Sequence, residues 1–143
     1  RGRVLFVWVV LFWLVGAESG SLLRLGLRCE RLAALDAREL GYDAPASSEF
    51  NAYIGPHICA SCFETGPDVA QRFASEIGPG CVPDARHVDL EEALILDFES
   101  AGLSRERIAS AHACTKCEPD RFFSYRASGG VCGRHGALAF RSR

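Results

Sequence analysis

The chain has 143 residues, enough for one domain with a sizeable hydrophobic core, and its 48% hydrophobic and 24% charged residues are typical of a globular protein. The formal net charge of -2 argues against a surface that follows phosphates, so no nucleic-acid partner is expected. The seven cysteines are too sparse for a disulfide scaffold and favour a reduced, cytoplasmic protein with mostly buried thiols. Because the sequence contains no methionine, we expect a fragment, a processed product or a gene with a wrongly assigned start.

Residues 1–21 form an apolar N-terminal segment of doubtful origin. The unbroken apolar run 4–15 is shorter than the ~20 residues that a membrane-spanning helix needs, which argues against a membrane protein. Its Val, Phe and Trp content suits a buried strand, or the run is a mistranslated stretch. Alternatively, it is the core of a signal peptide cleaved after Val15-Gly16-Ala17, and the protein is exported.

From residue 22 onward the pattern predicts helices that alternate with short strands, so the expected class is α/β (α+β). Helices are predicted over 22–40, from Pro67 to just before Gly78, and from Asp89, where Glu92 completes a capping-box pattern. Strands are predicted over 50–54, 108–113, 122–126 and 137–140, with turns at residues 118–120 and 129–130.

Four cysteines form two Cys-x-x-Cys pairs, Cys59/Cys62 and Cys114/Cys117. Such pairs can hold zinc, but the 51 residues between them far exceed the ~15–20 of a zinc ribbon. His57 and His112 each lie two residues before a pair, which leaves a mixed Cys/His site open. A thiol-redox centre requires a pair at a helix N-terminus, and the predicted helix starts several residues later. The favoured interpretation is therefore unliganded loop thiols, with a structural zinc or thiol-redox module as the alternative.

Two segments resemble a known family. The strings IGPHICASCFETG (54–66) and CTKCEPDRFFSYR (114–126) are similar to the C-terminal signatures of the laccase-domain family, also called polyphenol oxidase or multicopper-oxidase-like. The resemblance extends over about residues 50–140. It implies a zinc-dependent purine nucleoside phosphorylase with adenosine deaminase and methylthioadenosine phosphorylase activity; a bacterial member is named a peptidoglycan editing factor. It also implies layered mixed sheets flanked by helices, with residues 22–143 as the C-terminal part of the domain.

The resemblance suggests a substrate pocket that contains Gly55, Cys62, Tyr125 and Arg126. Gly55 with Pro56 permits a tight turn beside a pocket, Tyr125 offers a stacking face for a purine, and Arg126 offers a cation for phosphate. The neighbouring Phe122 and Phe123 are expected to be core residues, and bracing of the C-terminal strands is the alternative role for Arg126. Purine nucleosides and phosphate are therefore the partners that the resemblance implies.

The sequence also departs from the family pattern. The family's zinc, described as copper in older work, is held by two histidines and a cysteine ahead of the Gly-Pro segment, one of them in a His-Ala-Gly-Trp-Arg-Gly string. This sequence has no histidine before His57, and Ala127 stands where the family usually has a second arginine. We therefore expect a truncated, inactive portion that binds no catalytic metal, whose catalytic residues remain unassigned. Half of such a fold would expose apolar faces and sheet edges, so self-association is expected.

Overall fold

The computed structural model describes residues 7–8, 51–100 and 102–135. Three short strands, β1 (Val7–Trp8), β2 (Ala52–Ile54) and β3 (Ile108–Ser110), form a parallel sheet in the order β1-β2-β3. Two helices, α1 (Pro67–Glu76) and α2 (Leu90–Ser100), connect β2 to β3 along the chain. Single 3-10 turns lie at Ala60–Cys62, Pro79–Cys81 and Arg105–Arg107. Parallel strands joined through helices confirm the predicted α/β class.

Strand β2 is the centre of the described sheet. Ala52 and Ile54 are buried and Tyr53 is half-buried, as expected for a strand covered on one face more than on the other. The register pairs Ala52 with Ile108 and Ile54 with Ser110. Both β2 and β3 therefore end at the same edge of the sheet, and the chain that follows each strand continues over that edge.

Helix α1 begins at Pro67, a residue suited to the first helical position because its missing N–H would have no partner there. Its buried residues, Ala70 and Phe73, lie three positions apart and so share one face. At the end of the helix, the Phe73 carbonyl accepts the N–H of Ile77 at 3.0 Å and that of Gly78 at 3.1 Å. Gly78 has a φ of 152°. This positive φ explains the glycine at the stop.

Helix α2 starts at the predicted cap. The Asp89 Oδ1 atom accepts the N–H of Glu92 at 3.1 Å, which is the hydrogen bond of the capping box. The helix contributes to two groups of buried residues. Cluster 1 consists of Phe63, Ala70, Phe73, Cys81, Val88, Leu90 and Ala93. Cluster 2 consists of Ala52, Ile54, Phe98 and Leu103.

The structure corrects one predicted strand and shortens another. Residues 122–126 contain a bend and the start of a turn, not a strand, and the predicted strand 108–113 is limited to Ile108–Ser110. The aromatic residues favoured a strand, but Phe123 and Tyr125 are exposed, and Ser124 between them is buried. The Ser124 Oγ accepts the N–H of Ala127, and its carbonyl accepts the N–H of Ser128, so local turn bonds replace a ladder. The expectation that Phe123 is a core residue is also wrong, since its side chain is 55% exposed.

The turns predicted at 118–120 and 129–130 are confirmed, with positive φ at Gly129 and Gly130. The predicted helix 22–40 and strand 137–140 lie outside the described residues. Of the apolar run 4–15, residues Val7–Trp8 form β1, in agreement with the strand interpretation for these two positions. Within the described residues, no helix is long and apolar enough to cross a membrane.

Candidate functional site

The structure brings the two Cys-x-x-Cys pairs together. The Sγ atoms of Cys59, Cys62, Cys114 and Cys117 all lie within 4.8 Å of one another. Across the pairs, the Sγ atoms of Cys62 and Cys117 lie 3.5 Å apart. All four thiols are free, and together they can hold a metal ion. The long separation in sequence, which weighed against a shared site, does not keep the pairs apart in space.

The parallel register of β2 and β3 accounts for this convergence. The pairing continues past the strands as a bridge between His57 and Cys114. The His57 N–H donates to the Ala113 carbonyl at 3.0 Å, and the Thr115 N–H donates to the His57 carbonyl at 2.9 Å. Each cysteine pair therefore follows its strand at nearly the same distance from the sheet edge, and two neighbouring parallel strands deliver both pairs to one place.

Hydrogen bonds and burial shift the pKa values of the Cys62, Cys114 and Cys117 thiols in different directions. The Cys114 sulfur is partly buried, which raises the pKa of its thiol, but it accepts N–H groups from Cys59 at 3.3 Å and Cys117 at 3.4 Å, and the pKa is lowered to about 6. The hydrogen bonds of Cys117 to Cys114 and Cys62 raise the pKa of the Cys117 thiol to about 12. Burial raises the pKa of the Cys62 thiol. Without a metal, Cys114 is therefore the thiol expected to ionise first, because the N–H groups of Cys59 and Cys117 stabilise its negative charge.

The two pairs lack the geometry of a thioredoxin-type centre. Cys59 precedes only the 3-10 turn Ala60–Cys62, and helix α1 starts later, at Pro67. A redox pair of that type lies at the N-terminus of an α-helix, whose dipole stabilises the thiolate.

A cavity of about 440 Å³ lies beside the thiols. It is lined by His57, Cys59, Ala60, Ser61, Asp89, Glu91 and Glu92. Buried His57 faces two acceptors, because its Nδ1 lies 3.0 Å from the Gly55 carbonyl and its Nε2 lies 3.3 Å from Glu91 Oε2. The other carboxylate oxygen of Glu91 lies 3.0 Å from His112 Nδ1. The two histidines considered for a mixed Cys/His site thus share Glu91 as a partner.

Sequence reasoning missed Glu91 and Asp89 as residues of this cavity. Acidic residues at the start of a helix ordinarily interact favourably with the helix dipole, and that role alone explains them locally. Their proximity to His57 arises because the N-terminus of α2 lies against the segment after β2, which no local pattern indicates. The Gly55-Pro56 turn was the available signal for a pocket at this edge.

The predicted pocket residues fall into two groups. Gly55 contacts the cavity residue His57 through its carbonyl, and Cys62 is part of the thiol cluster. None of the four predicted residues is among those that line the cavity. The Arg126 Nη1 atom donates to the Glu64 carbonyl at 2.9 Å, and its guanidinium lies 5.3 Å from the ring centre of Phe63. Arg126 therefore joins segment 114–126 to segment 54–66.

Known proteins are similar to this chain over a region that includes segments 54–66 and 114–126. A family model described as multi-copper polyphenol oxidoreductase laccase matches residues 34–142. "Adenosine deaminase RL5" from an unknown prokaryotic organism is 28% identical over 111 residues, which is 73% of this chain and 42% of that protein. "Purine nucleoside phosphorylase YlmD" from Geobacillus stearothermophilus is 31% identical over 105 residues, 68% of this chain and 38% of that protein. The chain thus spans about two fifths of the length of these relatives.

A solved structure has the same fold. The Bacillus licheniformis hypothetical protein YfiH aligns with a TM-score of 0.56 and 22% identity, over 76% of this chain and 42% of that one. The resemblance of segments 54–66 and 114–126 is confirmed by the family model, which covers both. The chain belongs to the multi-copper polyphenol oxidoreductase laccase family.

Proposed function

We propose that this chain forms the C-terminal part of a zinc-dependent enzyme that phosphorolyses or deaminates purine nucleosides. The observation that carries the proposal is the agreement among relatives: proteins from Geobacillus stearothermophilus and Bacillus subtilis are named purine nucleoside phosphorylase, and a further one is named adenosine deaminase. Their identities to this chain are 28–31%. The contact of Arg126 with Glu64 and Phe63 supports it, because it joins the two segments that resemble the family.

The cavity beside His57 suits a nucleoside better than phosphate. Its volume of about 440 Å³ is within the usual range for small-molecule sites. Asp89, Glu91 and Glu92 make its lining acidic, so ribose hydroxyls or an amino group would find acceptors there, whereas phosphate would be repelled. We place phosphate instead at the side of Arg126, outside this cavity.

The catalytic zinc of the family belongs to a different donor set from the four thiols. By the resemblance, it requires two histidines and a cysteine ahead of Gly55, and such a three-ligand site keeps one position for water or substrate. Four converging thiolates would leave no such position. We therefore expect the isolated 143-residue chain to turn over neither adenosine with phosphate nor adenosine with water, and a chelator-sensitive activity of the purified chain would contradict this.

A chimera tests the proposal directly. Residues 51–135 would replace the matching segment of the Geobacillus stearothermophilus relative, and phosphorolysis and deamination of adenosine would be measured. The chimera is expected to keep activity within about tenfold of the parent, because the incoming segment supplies equivalent pocket walls. A matched chimera carrying Glu91→Gln should show a raised KM for adenosine. A folded chimera without nucleoside turnover or binding would contradict the proposal.

We also propose that the chain is cytoplasmic and self-associates. The six cysteines of the described residues are free, which suits a reducing compartment. Phe123, Tyr125 and Val131 expose 55%, 40% and 88% of their surface, and such apolar residues close together in one segment favour association. Sedimentation velocity over a range of concentrations should show the average mass rising above that of a monomer; a constant monomer mass would refute self-association.

A further inference from the structure

The four-thiol cluster has the geometry of a metal site distinct from the catalytic one. We propose that Cys59, Cys62, Cys114 and Cys117 bind one Zn²⁺ tetrahedrally and fasten the chain after β3 to the chain after β2. A zinc ion with four thiolates at ~2.3 Å places its sulfur atoms about 3.8 Å apart. The four Sγ atoms lie within 4.8 Å of one another, and those of Cys62 and Cys117 are 3.5 Å apart, so small side-chain adjustments are enough to reach this value.

Backbone hydrogen bonds support a ligating sulfur at the centre of the cluster. The N–H groups of Cys59 and Cys117 both point at the Cys114 sulfur, at 3.3 and 3.4 Å. Donors of this kind orient a metal-bound thiolate and offset its negative charge. The first donor lies in the opposite pair, so the protein backbone already holds the two pairs in register for a shared ion.

A pair of disulfides explains this arrangement less well than an ion. Bonded sulfurs lie about 2.05 Å apart, whereas the four cysteines are free and the Sγ atoms of Cys62 and Cys117 are 3.5 Å apart. A disulfide joins two thiols, and here each of the four approaches all the others. Thiolate donors exclude hard cations such as Mg²⁺ and Ca²⁺, and a tetrahedral four-sulfur set favours zinc or an iron centre.

The segment after β3 needs such a fastening. Among the described residues from 111 to 135, Ser124 is the one that is buried, so little apolar burial holds this stretch in place. The zinc site would add a strong local restraint to this described stretch, where few side chains are buried. The four protein ligands occupy every position of the ion, which makes the role structural, not catalytic.

Metal analysis of the full 143-residue chain, purified under reducing conditions, tests the proposal. We expect about one zinc per chain, and about one zinc again in Cys132→Ser, whose exposed thiol lies outside the cluster. The double variant Cys59→Ser/Cys114→Ser should retain less than a tenth of the wild-type zinc after dialysis against a weak chelator. This variant removes one cysteine from each pair. A zinc content equal to that of the wild type would show that the metal binds elsewhere, and that result would overturn the proposal.

A spectroscopic measurement on the unmodified chain avoids the risk that the variant fails to fold. Reduced, metal-free chain would be titrated with Co²⁺, which gives intense thiolate charge-transfer and tetrahedral ligand-field absorption when bound by four sulfurs. We expect these bands to saturate at one equivalent and to disappear when zinc is added. Absence of the bands, or a visible iron chromophore in the purified protein, would each overturn the zinc assignment.

Discussion

At the scale of single residues, Asp89 has two roles, because it caps α2 and also lines the cavity. Its Oδ1 accepts the Glu92 N–H at 3.1 Å, a donor that the helix itself cannot satisfy. Asp89→Ala should therefore lower the free energy of unfolding by about 1 kcal/mol. Chemical denaturation monitored by circular dichroism would measure the change.

The matched control for this prediction is Asp89→Asn. Asparagine is as good a helix cap as aspartate, so it should restore most of the lost stability while removing the charge. Equal destabilisation by the two substitutions would show that the charge, and not the capping hydrogen bond, stabilises α2.

The ion pair of Glu99 with Arg105 gives a prediction about pH. Hydrogen bonds from the Arg105 guanidinium lower the pKa of the Glu99 carboxyl below its ordinary value of 4.5. A carboxyl whose pKa is lower in the folded state stabilises the fold above its unfolded pKa, and this contribution is lost as the pH falls through the folded pKa. Arg105→Gln should therefore destabilise the protein at neutral pH, and the difference from wild type should vanish well below pH 4.5.

An NMR titration of the Glu99 carboxyl carbon checks this pair directly. Its midpoint should move up towards the ordinary value in Arg105→Gln and stay low in Arg121→Gln, whose arginine pairs with Glu118 instead. High salt should weaken the effect because both side chains are partly exposed. A Glu99 midpoint that is the same in wild type and Arg105→Gln would contradict the assignment.

Residue-level reasoning from sequence succeeded where a local chemical rule decides the outcome. Pro67 starts a helix and Asp89 caps one, as predicted, because these effects act within one helical turn. The prediction of a strand over 122–126 was wrong, because the polar Ser124 is buried while the aromatic residues Phe123 and Tyr125 on either side of it are exposed. Burial of a small polar side chain depends on turn bonds that the hydrophobic pattern does not encode.

At the scale of elements, α1 contributes Ala70 and Phe73 to cluster 1. Phe73→Ala would remove a buried ring and leave a cavity, so it should cost about 3–5 kcal/mol. Phe123→Ala is the matched control, because that side chain is 55% exposed and its removal should cost less than about 1 kcal/mol. Denaturation midpoints of both variants would measure the difference, and similar losses would contradict the packing of α1 against cluster 1.

The convergence of the thiols is also a consequence of elements and not of motifs. The spacing rule for zinc ribbons applies to two cysteine pairs that are joined by a short connection. Here two helices lie between the pairs, so the rule does not apply. The relevant quantity is the register of β2 against β3, which pairs His57 with Cys114 and so aligns the cysteines that follow. Because register depends on long-range pairing, the sequence predicted both strands but not their alignment.

At the scale of the whole molecule, α2 links the two buried clusters. Leu90 and Ala93 belong to cluster 1, Phe98 belongs to cluster 2, and Leu94, Ile95 and Leu96 pack partly against one or the other. A helix that is apolar on most of its circumference must be covered on several sides. We therefore expect both clusters to unfold together, as one cooperative unit.

Leu103→Ala, a change confined to cluster 2, tests this coupling through a thiol in cluster 1. Leu103 is 8% exposed, and its truncation should cost about 2–5 kcal/mol, whereas Leu103→Met should cost less than about 1.5 kcal/mol. Cys81 is fully buried in cluster 1, so it reacts with a thiol reagent only after that cluster opens. If the clusters open together, Leu103→Ala should accelerate labelling of Cys81 roughly 30-fold or more, the kinetic equivalent of at least 2 kcal/mol. Mass spectrometry of the Cys81 peptide would measure the labelling rate, and circular dichroism would confirm that the variant is destabilised as expected. Labelling of this variant at the wild-type rate would show that cluster 1 remains folded when cluster 2 opens.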